Sequence, residues 1–139
     1  MDSSERTTFI ARAAAVAAAA QRLGITLSKS PRAFELIAEA AGNRITFPVV
    51  SDARDWRETT AEEAFYVMLL DAHEWALARL DDAMLTTIPM GERDEVPAMR
   101  REEASALQRL QALATLLGGE DRLADLFNAA GLSPLAASA

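Results

Sequence analysis

The chain has no cysteine, one histidine, one tyrosine, six glycines and five prolines in 139 residues. The absence of cysteine excludes disulfides, a thiolate zinc site and a cysteine nucleophile, and leaves the redox compartment open. The few turn formers fall mostly between periodic segments, so regular elements should be long. No apolar run approaches the length that crosses a bilayer. The opening residues carry Asp2, Glu5, Arg6 and Arg12, and the run from Ala13 to Ala20 is alanine rather than leucine, which makes a poor signal peptide. A cytoplasmic protein without a membrane partner is the default expectation.

What is abundant is alanine, the strongest helix former, with 30 copies. Half of the residues are hydrophobic and a quarter are charged, ordinary for a globular chain and against extensive disorder. The length suits one domain that buries roughly two thirds of its unfolded surface. The net charge of −7 is uneven: residues 1–57 sum to +2 and residues 58–139 to −9. An acidic body of this kind repels nucleic acid and anionic membrane and attracts a basic protein surface.

Periodicity divides the chain into an N-terminal helix pair (1–43), an extended arm and connection (44–59), a helical hairpin (60–117) and a short C-terminal helix with a tail (118–139). Helix one is expected from about Ser4 to Leu23, with Phe9, Ala13, Val16, Ala20 and Leu23 on one stripe and Gly24 as its stop. Alanine buries little area, so this helix should either approach a neighbour closely or hold on through its few larger side chains. Helix two is expected after Ser30 as N-cap and Pro31 at the first helical position, with Phe34, Ile37, Ala38 and Ala41 inward until Gly42-Asn43.

Residues 44–50 alternate Ile45, Phe47 and Val49 against Arg44, Thr46 and Pro48, which suits an extended arm or an edge strand. With no second strand in sight, any pairing would be with a partner or a symmetry mate. Thr60 to Glu63 has the capping-box pattern and opens helix three, expected to about Ala83. Phe65, Leu69, Ala72, Ala76, Leu80 and Ala83 form one apolar stripe on it, and Tyr66, Leu70, His73 and Leu77 form a second. A helix so apolar needs cover on two sides. Helix four should run from Pro97 to Leu117 after a connection at 88–97, and helix five from Asp121 to Asn128. The fold class expected is therefore all-α: four to five helices around a central antiparallel hairpin, with one short extended arm.

No motif carries chemistry. His73 lacks helix-spaced metal partners, since Leu70 and Leu77 stand where ligands would be needed, so a packing histidine is the simpler reading than a small-molecule or metal centre. Adjacent acids such as Asp81-Asp82 point about 100° apart on a helix and suit a solvated face. Gly118-Gly119 follows a helix and lacks a P-loop lysine. No cofactor, metal or catalytic set is expected. Trp56, in a polar connection, is either a core plug or an exposed anchor for a partner.

The function expected is a non-catalytic protein–protein interaction protein of bacterial or phage type, such as an adaptor, inhibitor, immunity protein or chaperone. It would be a homodimer and bind a protein partner with a basic surface. Trp56, Tyr66, Leu70, His73 and Leu77 would supply packing, and Asp71, Glu74, Asp81 and Asp82 charge complementarity. The alternative is a transcriptional regulator with a helix-turn-helix at residues 15–42, touching DNA through Lys29, Arg32 and Arg44; Glu35 and Glu39 on the presumed recognition helix argue against it. The segment Leu27 to Ala38, followed by Asp55-Trp56, resembles a short helical segment of bacterial plasmid and toxin–antitoxin-associated proteins. The resemblance covers a small part of the chain and carries no site.

Overall fold

The computed structural model describes residues 2–30, 34–49, 53–78 and 96–132. Among these, five helices and a three-stranded antiparallel sheet alternate in the order α1 (Ser3–Arg22), β1 (Thr26–Ser30), β2 (Glu35–Ala40), β3 (Asn43–Pro48), α2 (Ala53–Glu58), α3 (Ala61–Ala78), α4 (Val96–Leu117) and α5 (Glu120–Ala129). The fold is mixed α/β, which corrects the all-α expectation. The connection expected at 88–97 and the last turn expected of helix three lie largely outside the described residues.

The error sits at the second helix. Residues 35–40 form the central strand of the sheet, paired with β1 on one side and β3 on the other. Phe34, Ile37, Ala38 and Ala41 satisfy a helical spacing, but Leu36, Ala38 and Ala40 also alternate, and they point to the core. Ladders on both edges outweigh the helix propensity of three alanines. Ile37 faces the other way, between Ser28 and Thr46 in register, and is still buried. The arm at 44–50 is likewise corrected: Asn43–Pro48 pairs with β2 of the same chain, and Val49 continues it by donating its N–H to the Phe34 carbonyl.

Gly42-Asn43, expected to stop a helix, instead serves a hairpin. The ladder ends at the Ala40–Asn43 pair, leaving a two-residue loop in which Ala41 has φ 52° and Gly42 φ 81°. Positive φ at both central positions is the type I′ turn, whose twist matches the flanking strands.

Three layers result. The sheet forms one; α3 and α4 form the middle, with α3 on β1 and β2 and α4 on β2 and β3; α1 and α5 form the third, α1 on α3 and α5 on α4 and α1. This is why α3 is apolar around most of its circumference. Phe65, Leu69 and Ala72 are fully buried, and the second stripe is covered by the outer helices: Tyr66 meets the Phe9 ring of α1 at 5.3 Å, and His73 meets Phe127 of α5 edge-on at 5.1 Å. Thr60 and Glu63 close the expected capping box at the start of α3. An analogous box joins Asp2 and Glu5 at the start of α1. At the far end, Arg12 donates to the Ala130 carbonyl at 3.1 Å, tying α1 to the end of α5. Gly131 there has φ +74°, and a Cβ on it would collide with the Arg12 guanidinium.

An alanine at φ > 0 carries a cost of about 1 kcal/mol that asparagine largely avoids. Ala41 is exposed, so no packing is lost by changing it. Ala41→Asn should stabilise the protein by about 1 kcal/mol, raising Tm by about 3 °C; a fall in Tm on calorimetry would contradict the turn.

Candidate functional site

The residues expected at an interface are dispersed by the fold. Trp56 is only 1% exposed and plugs the junction of α2 and β1, its Nε1 donating to the Ser30 carbonyl at 3.2 Å. Tyr66 and His73 are buried inside the chain's own core, and Leu70 is half-buried against it. Asp71 is half-exposed and accepts from Arg109 of α4 at 3.2 Å, so it braces two helices of the middle layer. Glu74 is exposed. Leu77 belongs to α3, but its side chain lies outside the described residues, as do Asp81 and Asp82.

The residues expected to touch DNA are no closer to forming a site. The segment 15–42 holds the end of α1 and two strands, so its described residues contain no recognition helix. Lys29 sends its ammonium group to the carbonyls of Trp56, Arg57 and Thr59 at the end of α2, and it lies 5.0 Å from the centre of the Trp56 ring. A cation at a helix C-terminus satisfies carbonyls that the short helix leaves open. It is also the only lysine of the chain. Arg44 pairs across the strands with Glu39 at 3.8 Å, and Arg32 lies outside the described residues. The likeness of Leu27 to Ala38 to a helical segment also lapses, since those residues are largely strand. Among the described residues no group of three metal-binding side chains forms, and no helix is long and apolar enough to cross a membrane.

The surface feature that does stand out was not singled out in the sequence. A groove of about 740 Å³ runs along α1. Its long wall is Ile10, Ala14, Ala17, Ala18 and Gln21; Ile25 and Leu27 lie at the start of the sheet; Thr60, Glu62 and Glu63 close it from the start of α3. α1 has few large side chains: Val16, and in part Phe9 and Leu23, turn to the core, so that alanines line the groove between Ile10 and Gln21. Ala13, Val16, Ala19 and Ala20 are buried, and the opposite side offers Ala11, Ala14, Ala15 and Ala18 to solvent. Ile10 stands 53% exposed at one end. Solvent-facing helix surfaces are normally charged. Here four turns pass from Thr7 to Gln21 with Arg12 alone carrying charge, and Arg12 turns toward α5. The alanine run was visible in the sequence; its two-sidedness was the available signal.

Because Lys29 is consumed by α2, its removal should act on stability. Lys29→Met is expected to cost about 1.5–3 kcal/mol, the range for a hydrogen bond to a charged group, measured by urea unfolding; unaltered stability would contradict the capping role. Comparison of the chain with protein families, with curated proteins and with solved structures gave no match.

Proposed function

We propose that the protein works by binding another protein, without chemistry of its own, and that the groove along α1 is the contact surface. The observation that supports this is the uncharged, smooth wall of α1 facing an acidic rim. Alanines let a second backbone come close, Ile10 and Leu27 supply apolar anchors, and Glu62 and Glu63 set the charge of the edge. A helical segment laid in a groove is a recurrent mode of recognition, in which anchors repeat at three- and four-residue spacing. The preferred ligand is a helix with small residues on one face and Lys or Arg beside it, in keeping with the basic partner anticipated from the charge distribution.

This reading shifts the interface from the second stripe of α3 to α1. Tyr66 and His73 would have to leave the core to be used, whereas the α1 face needs no rearrangement. The DNA-binding alternative is set aside, because Lys29 and Arg44 are both engaged within the fold.

Selection from a displayed library of helical peptides provides the test. Peptides enriched by the wild-type protein should carry small residues at helical spacing with basic flanks. They should bind Ala14→Glu at least about tenfold more weakly, a loss of about 1.4 kcal/mol. Failure to enrich any peptide, or enrichment of peptides indifferent to Ala14→Glu, would contradict the proposal.

A further inference from the structure

We infer that the occupant of the groove is a second copy of this chain, with α1 of one protomer packed against α1 of the other; the inference rests on the groove being a protein-docking surface. Shape gives the first argument. A groove walled by alanine lets a helix that also presents small residues approach closely, and α1 itself presents such residues at Ala14, Ala17 and Ala18. A surface that is both wall and ligand is what a two-fold, isologous interface requires.

Charge gives a second, independent argument. From Arg6 to Arg22, α1 contains three arginines and no acid. Arg6 lies one turn before Ile10 on the same side of the helix. Arg6 and Arg22 have no ion pair among the described residues, and neither does the exposed Glu62 on the facing wall. A second α1 entering the groove therefore brings positive charge to the wall that carries Glu62 and Glu63. The same asymmetry runs through the whole chain, +2 over residues 1–57 against −9 over residues 58–139. Association of copies would set Arg6 of one protomer against the Glu62 and Glu63 edge of the other, and this favours self-recognition over random apolar contact.

The strength of the association follows from its size. A helix pair in contact over about 30 Å buries an area at the low end of specific interfaces, and alanine contributes little per residue. A dimer with Kd in the micromolar range is expected, weakened by salt because exposed ion pairs contribute to it.

Sedimentation equilibrium of the full chain from about 5 to 500 µM, a range that brackets a micromolar Kd, tests this. The mass should rise from 15.0 kDa toward twice that value with concentration. Ala14→Glu and Ala18→Glu should each raise Kd at least about tenfold. Both positions are exposed and glutamate is a good helix former, so circular dichroism and Tm should not change. Gln108→Glu, exposed on α4, should leave Kd unaltered. A monomer at every concentration would overturn the inference, while the peptide selection would still judge the groove on its own. A dimer indifferent to both alanine variants would overturn it as well, placing the interface elsewhere.

Discussion

α3 carries apolar side chains around most of its circumference, and such a helix is stable in water only when covered on both sides. The layered arrangement follows from that need. The sheet covers one side of α3, and α1 and α5 cover the other, through the Phe9–Tyr66 and Phe127–His73 ring contacts. With α3 fixed between them, α4 completes the middle layer and is braced to α3 by Arg109 and Asp71. The one histidine is explained in the same way: its position in the second stripe makes it a packing partner for a phenylalanine, well inside the fold.

Parts of this arrangement are legible in the sequence. The capping box at Thr60 and Glu63 marks the start of α3, and the stop at Gly24 and the stripes of α4 and α5 mark helices that form within a residue or so of where spacing puts them. The sheet was not legible, for physical reasons. β2 is short, and Ile37 on its outer face interrupts the alternation of Leu36, Ala38 and Ala40 with Glu35 and Glu39. Glu35 and Glu39, four apart, imitate a polar helix face although in the sheet they share the outer face with Ile37. Ser30-Pro31 imitates a helix start. The type I′ turn has alanine where asparagine is usual, which removes the strongest local sign of a hairpin. Once β2 is recognised, the alternation of Ile45 and Phe47 has a partner strand within the chain and requires no symmetry mate.

The candidate site was even less legible, because it depends on which side of α1 the fold uses. Periodicity identifies one buried stripe on that helix, and alanine on the remaining positions reads as propensity alone. Only the packing of α1 on α3 and α5 separates the buried alanines, Ala13, Ala19 and Ala20, from the exposed ones, Ala11, Ala14, Ala15 and Ala18. The exposed set then reads as a surface from which charge has been withheld, beside a rim where Glu62 and Glu63 supply it.

Hydrogen–deuterium exchange of the backbone, followed by mass spectrometry at about 2 and about 200 µM, concentrations on either side of a micromolar Kd, addresses the use of α1 most directly. If α1 is the contact helix, amides from Arg6 to Gln21 exchange more slowly at the higher concentration, together with those at the start of α3, and β3 and α5 are unchanged. Exchange in α1 that is independent of concentration, or protection that appears on other elements instead, would contradict it.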